Sequence, residues 1–218
     1  KNIVIFDFMS LYPTIIVAKN ICPSTINTNK DGYKSPEIEE HGKGIYYYFN
    51  QKIDGFIPSV IKDLIIRRGR VKELMKEDDD TILEARSYAL KTVANSMYGY
   101  LGFFGARWYS KECAASVTAF AREYIKDVIE KTKIAGFNVI YSDTDSVSFT
   151  LENKSEEEAF IFLKKINDGL PDLMELELDG FYPLGIFVSK KTESHGAKKK
   201  YALIDQKGNI KIRGFETV

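Results

Sequence analysis

The sequence predicts an α+β fold: an antiparallel sheet domain interrupted by a projecting pair of antiparallel helices. Three observations predict it. A buried-strand pattern, Ile3-Val4-Ile5-Phe6, opens the chain, and two more strand patterns with a tight polar link lie far downstream, between Phe137 and Leu151. Two long amphipathic helical patterns stand between them, separated by only a few residues, and so short a connection makes them antiparallel neighbours. The full order is strand, helical hairpin, helix, β-hairpin, helix and then strands.

The elements follow in order. Residues 3–6 are unbroken, apolar and rich in β-branched and aromatic side chains, which suits a strand buried on both faces and delivers Asp7 to its end. A short helix is expected from Leu11. From Thr28 to Asp54 the chain turns polar and rich in turn formers, apart from residues 45–49, and reads as a loop with a hairpin. Pro58 opens a helical pattern that keeps Ile61, Leu64, Ile65, Val71 and Met75 on one stripe to Lys76, where an acidic string starting at Glu77 breaks it. The next pattern runs from Ile82 through Leu83, Leu90, Val93 and Met97 to Gly99 and Gly102. The interrupting pair therefore occupies residues 58–104 and divides the chain into residues 1–57, 58–104 and 105–218.

A third helix, residues 112–133, carries Val117, Ala121, Tyr124, Ile125 and Val128 on one face and stops at Gly136. Strands at residues 137–141 and 146–151 flank Ser142-Asp143-Thr144-Asp145, a hairpin with carboxylates at its tip. Ser155 and Glu158 form a capping box for a helix over residues 156–169, with Phe160, Leu163 and Ile166 inward. Strands at residues 176–178, 186–189 and 201–205 follow, and Gln206-Lys207-Gly208-Asn209 turns the chain into a last strand at residues 210–213.

Composition narrows the classes. With 218 residues, 44% of them hydrophobic, the chain can build a genuine core. Its 31 basic and 31 acidic residues neither announce nor exclude a nucleic-acid partner, because phosphate contact needs only a local basic surface. Cys22 and Cys113 lie far apart without metal-type spacing, which speaks against a disulfide framework or zinc knuckle and fits a reducing cytoplasm. No apolar run approaches the roughly 20 residues that span a bilayer, so no membrane partner is expected. The chain opens in a strand without a preceding cap and stops just after a hairpin, so both ends read as cuts inside a larger protein.

Three groups of residues carry chemistry. Asp7 ends one buried strand, and Asp143 with Asp145 caps a hairpin, so pairing these strands would gather carboxylates at one sheet edge. Crowded carboxylates repel each other, and divalent cations relieve the repulsion by taking hard oxygen ligands, with Mg²⁺ the natural occupant. Taken alone, an Asp-Thr-Asp string is more often a mere turn. Lys91, Asn95 and Tyr98 share one helix face, while Arg68 and Lys72, four apart, project from one stripe of the preceding helix, so the pair can present cations to a triphosphate. An ordinary solvated face reads the same way. Lys198, Lys199, Lys200 and Tyr201, preceded by Lys190 and Lys191, form a local basic cluster that suits a nucleic-acid backbone or a solubilising loop equally well.

At these residues the chain resembles a known family. Asp7-Phe8-Met9-Ser10-Leu11-Tyr12-Pro13-Thr14-Ile15-Ile16 is similar to motif A of family B DNA polymerases. Lys91-Thr92-Val93-Ala94-Asn95-Ser96-Met97-Tyr98-Gly99 resembles motif B, and Tyr141-Ser142-Asp143-Thr144-Asp145-Ser146 resembles motif C. Three long matches in family order outweigh the chance rate of any single motif. Gly55-Phe56-Ile57-Pro58-Ser59, Arg107-Trp108-Tyr109 and the lysine element resemble archaeal members, with a crenarchaeal flavour in residues 192–197.

The resemblance implies a polymerase palm interrupted by two-helix fingers, with the palm in residues 1–57 and 105–218 and the fingers in residues 58–104. Asp7, Asp143 and Asp145 would be catalytic, with Asp7, Asp145 and the Phe8 carbonyl holding two Mg²⁺ ions. Ser10, Leu11, Tyr12, Arg68, Lys72, Lys91, Asn95 and Tyr98 would bind the nucleotide, Tyr12 as a steric gate beneath the sugar and Tyr98 lining the nascent base pair. Tyr141, Lys198, Lys199, Lys200 and Tyr201 would contact DNA. The implied partners are primer-template DNA and deoxynucleoside triphosphates, and a sliding clamp only for a full-length enzyme. Exonuclease motifs and a thumb are not found in these residues, so weak isolated activity is expected. A catalytically silent binding fragment, and another palm-type enzyme such as a reverse transcriptase or nucleotidyl cyclase, are the rival readings.

Overall fold

A computed structural model of the chain describes residues 1–77, 80–189 and 196–215. The elements run, in chain order, β1 (Ile3–Phe8), α1 (Leu11–Ala18), β2 (Tyr33–Lys34), β3 (Ile38–Glu40), β4 (Lys43–Ile45), β5 (Tyr48–Phe49), α2 (Phe56–Leu74) and α3 (Thr81–Gly102). They continue with α4 (Lys111–Ile134), β6 (Asn138–Asp143), β7 (Ser146–Thr150), α5 (Glu156–Asn167), β8 (Leu176–Tyr182), β9 (Leu184–Ser189), β10 (Gly196–Ile204) and β11 (Ile210–Arg213). Every strand pairing among them is antiparallel. The chain is thus a mixture of helices and antiparallel sheets. It divides into two compact units: residues 1–9, 124–170 and 175–218, and residues 10–123 with 171–174.

The first unit is built on a four-stranded sheet in the order β6-β7-β1-β8. β1 lies inside it, between β7 and β8, which is why its residues are apolar on both faces. On one face Phe6, Phe137, Phe149 and Phe162 interlock, with Phe6 and Phe149 edge-to-face at 4.9 Å between centroids. On the other face Ile3 and Ile5 pack with Tyr182 and Leu203. Leu203 belongs to a second sheet of three strands, β11-β10-β9. The capping box is formed: the Ser155 hydroxyl accepts from the Glu158 amide, and the Glu158 carboxylate accepts from the Ser155 amide.

The second unit pairs α2 with α3 and lays α1 against both. Two small sheets, β2-β5 and β3-β4, occupy the stretch expected to be a loop with one hairpin. Short strands of two or three residues carry too little periodicity to be read from sequence. Gly32 adopts φ +97°, and a Cβ there would stand 2.1 Å from the Phe49 carbonyl oxygen, so only glycine fits this β2-β5 crossing.

Three local expectations shift. The buried residues of α5 are Ala159, Phe162 and Ile166, whereas Phe160 is 49% exposed. Both sets have helical spacing, and the aromatic cluster selects the one containing Phe162. In α3 the buried residues are Ser87, Ala94 and Leu101, while Val93 is exposed and Leu90 and Met97 are half-buried. Ser87, Ala94 and Leu101 recur every seven residues, so they share one face of the helix. Pro58 stands third in α2, after a Gly55 cap, where its missing N–H still costs no helical bond.

Candidate functional site

The strand registers of the first unit assemble one row across the four-stranded sheet. Asp7 pairs with Ser146 on one side and Glu177 on the other, and Ser146 pairs with Asp143. Directly paired residues of antiparallel strands point to the same face. Asp143, Ser146, Asp7 and Glu177 therefore line up on the face that also carries Ile3 and Ile5. The opposite face is taken by Phe6, Phe8, Val147 and Phe149, all buried, so at this end of β1 and β7 the alternation sends Asp7 and Ser146 to the row.

The hairpin tip completes this edge. Thr144 takes a left-handed φ of 47°, the Asp145 amide donates to the Asp143 carbonyl at 2.6 Å, and the Phe8 amide donates to the Asp145 carbonyl at 2.9 Å. Asp145 is thus held one step beyond the Asp7–Ser146 pair. The Ser146 hydroxyl donates to the Asp143 carbonyl, and the Ser142 hydroxyl to the Ser146 carbonyl, which fixes the turn from within. Glu177 was missed by motif reasoning. Its signal is the alternation Glu175-Leu176-Glu177-Leu178, which marks a strand with acidic residues on one face.

Among the described residues, no three His, Cys, Asp or Glu side chains are arranged to cage one ion. The donor set nonetheless fits Mg²⁺, which takes one or two carboxylates and completes its shell with waters and substrate phosphates rather than an all-protein cage. Hard oxygens gather here: the carboxylates of Asp143, Asp7 and Glu177 with the Ser146 hydroxyl between the first two. The Lys199 ammonium stands 3.9 Å from the Asp143 carboxylate.

Beside the row, Tyr141, Phe187 and Tyr201 form a ring triangle with centroids 5.3 to 5.8 Å apart. The Tyr141 hydroxyl accepts from the Lys199 amide at 2.7 Å. Burial pushes the Tyr141 phenol above its usual range, and the Lys199 amide opposes that shift. Lys199 is exposed, while Lys200 and Tyr201 are half-buried. The Lys198 side chain lies outside the described residues, as do residues 192–195.

The second unit holds the other expected residues. Ser10 takes a left-handed φ of 55° as the cap of α1, and its carbonyl accepts from both the amide and the hydroxyl of Thr14. A non-glycine residue in that conformation is sparsely populated and is held by its surroundings. Leu11 is buried, and the Tyr12 ring contacts the Tyr98 ring at 4.4 Å. Lys91 and Asn95 are exposed on α3, and Arg68 and Lys72 are half-buried on α2. The Arg68 Nε is buried without a hydrogen-bond partner in the described structure. An unmet buried donor of this kind costs free energy, which anionic oxygens would relieve.

Fold and residues together define a class: a mixed helix and antiparallel-sheet protein with a row of hard oxygen donors and, separately, a helical pair bearing cations. The whole chain, residues 1–218, matches the model of DNA polymerase family B, and the chain belongs to that family. It is similar to the DNA polymerase of Thermococcus sp. (strain 9oN-7), 44% identical over all of this chain and 28% of that protein. DNA polymerase 1 of Pyrococcus abyssi is 42% identical with the same coverage. Among solved structures, the family B DNA polymerase from the hyperthermophilic archaeon Pyrobaculum calidifontis superimposes with a TM-score of 0.71 at 35% identity, covering 99% of this chain and 27% of that one. The chain therefore spans a little over a quarter of the length of the curated relatives it matches. Polymerases of this family use divalent metal ions. Among the described residues, no helix is long and apolar enough to cross a membrane.

Proposed function

We propose that this chain carries the nucleotidyl-transfer core of a DNA-directed DNA polymerase, adding deoxynucleotides to a primer 3′-hydroxyl with release of pyrophosphate. The observation that carries the reading is the row of Asp143, Ser146, Asp7 and Glu177, with Asp145 tied to its end, in a chain matched throughout by the polymerase family. Residues 1–57 and 105–218 act as palm and residues 58–104 as fingers. Primer-template DNA and deoxynucleoside triphosphates are the substrates.

Asp7, Asp145 and the Phe8 carbonyl would hold two Mg²⁺ ions, with Asp143 beside them. Mg²⁺ supplies Lewis-acid activation of the 3′-hydroxyl and neutralises charge on the departing pyrophosphate. Arg68, Lys72, Lys91 and Asn95 bind the triphosphate, together with the backbone of Ser10, Leu11 and Tyr12. Arg68 is suited to it by its unmet buried donor. Tyr12, braced by Tyr98, excludes a 2′-hydroxyl, and Tyr98 lines the nascent base pair. Tyr141 and the element Lys198 to Tyr201 contact the duplex, where lysines act without sequence preference.

Primer extension with Mg²⁺ on DNA and RNA templates tests the reading. Asp145→Ala should lower turnover on the order of 10²-fold to 10³-fold, the usual cost of losing a group that stabilises transition-state charge. Lys91→Ala should raise the nucleotide requirement while leaving DNA binding intact. Unchanged turnover in Asp145→Ala, or equal use of an RNA template, would overturn it.

A further inference from the structure

We propose that Asp179, Lys211 and Tyr182 form a latch that sets the register of β8 and so positions Glu177 beside Asp7. The inference rests on reading the carboxylate row as a divalent-cation site.

β8 meets β1 in two different registers. Ile3 pairs with Tyr182 and Ile5 with Gly180, whereas Phe6 pairs with Leu178, Asp7 with Glu177 and Phe8 with Leu176. Had the first register continued, Leu178 would stand opposite Asp7 and Glu177 opposite Phe8. The shift between Ile5 and Phe6 leaves Asp179 as the extra residue of a β-bulge. Because pairing and alternation together fix the face, this single slip decides which side chain accompanies Asp7. With it, a carboxylate joins the row, Leu178 pairs with Phe6 and Leu176 with Phe8. Without it, a leucine would face Asp7.

The extra residue is held by specific bonds. The Asp179 carboxylate accepts from the Lys211 ammonium at 2.6 Å and from the Tyr182 hydroxyl at 2.8 Å. Lys211 also lies 3.4 Å from the Tyr182 hydroxyl and 5.7 Å from its ring centroid. The Lys211 and Asp179 side chains are only 29% and 30% exposed, so this pair is less screened than Lys52 with Asp31, exposed at 80% and 60%. Tyr182 is packed against Ile3, Ile5 and Leu203, and Leu203 pairs with Lys211 across β10 and β11. Gly180 leaves the phenol its path, since a Cβ there would lie 3.0 Å from the Tyr182 hydroxyl oxygen. The latch thus ties the bulge to the core at one end and to the second sheet at the other, and its three members are positioning residues.

Binding of Mn²⁺ alone, followed by electron paramagnetic resonance on the full chain without DNA or nucleotide, tests the latch. Glu177→Gln and Lys211→Met should each weaken Mn²⁺ affinity by about 10-fold, the usual effect of losing support for a ligand set. The double variant should bind no more weakly than Glu177→Gln alone, because both changes remove the same carboxylate from the row. Tyr182→Phe removes only the hydroxyl and keeps the core ring, so it reports the latch even if Lys211→Met fails to fold. Lys211→Arg should restore affinity. Additive losses, or Mn²⁺ affinity unchanged in Tyr182→Phe while Glu177→Gln weakens it, would refute the latch. If Asp7→Asn weakens Mn²⁺ binding and Glu177→Gln does not, the latch is wrong and the row reading survives. If Asp7→Asn also leaves it unchanged, the row reading itself has failed and the latch with it.

Discussion

Replacing Phe149 by alanine probes the packing that holds the carboxylate row in place. Phe149 is fully buried, fourth of the five residues of β7, pairs with Val4 and Val139, and meets Phe6 at 4.9 Å and Phe137 at 5.0 Å. Truncating a buried phenylalanine costs about 3–5 kcal/mol, transfer and cavity terms together. Phe149→Leu keeps most of the volume and loses two aromatic pairs of about 0.5–1.5 kcal/mol each, so about 1–3 kcal/mol. Typical total stabilities are about 5–15 kcal/mol, so the alanine variant should lose a large share of its folding free energy. Urea denaturation followed by far-ultraviolet circular dichroism measures the change through the transition midpoint. Ile134, 85% exposed, serves as the control, and Ile134→Ser should stay within about 0.5 kcal/mol of the parent. A Phe149→Ala loss below about 1 kcal/mol, or one no larger than the control's, would refute the packing argument.

Other predictions follow from single features. Gly32→Ala should destabilise the chain by more than about 1 kcal/mol, because it combines positive φ with a backbone clash, and a thermal melt would show it. The Ser155 amide and Lys154 hold the Glu158 carboxyl below its usual range. A depressed folded value gives stability that is present above the unfolded value and lost as pH falls through the folded one. Stability should therefore fall on acidification below the ordinary carboxylate range, and Glu158→Gln should remove that part of the slope in pH-dependent denaturation. Burial pushes the Cys113 thiol up to about 12, so an aromatic disulfide reagent at pH 8 should leave it unmodified in the native chain and label it only after unfolding.

How much was legible beforehand depended on the range of the interaction responsible. The capping box at Ser155, the helices after Gly55 and Asp80 and the hairpin around Asp143 to Asp145 are local. Their hydrogen bonds join residues two to four apart, so spacing in the sequence reveals them. The polymerase-like motifs were legible for the same reason, each being a continuous string.

Periodicity left a choice of face open wherever two stripes of a helix were both apolar. Phe160 and Phe162 are equally hydrophobic, and only contact with Phe6 and Phe137 decides between them. Val93 likewise looked like a core residue, yet the smaller Ala94 is the one buried.

The sequence by itself determined the mixed helix-and-antiparallel-strand character, the family and the carboxylates on β1 and the β6–β7 turn. Tertiary structure alone decided that β1 lies between β7 and β8, and that a bulge at Asp179 brings Glu177 rather than Leu178 opposite Asp7. Strand pairing joins residues up to 179 positions apart, as Ile3 with Tyr182 does, and no short window of sequence records which partner or register packs best.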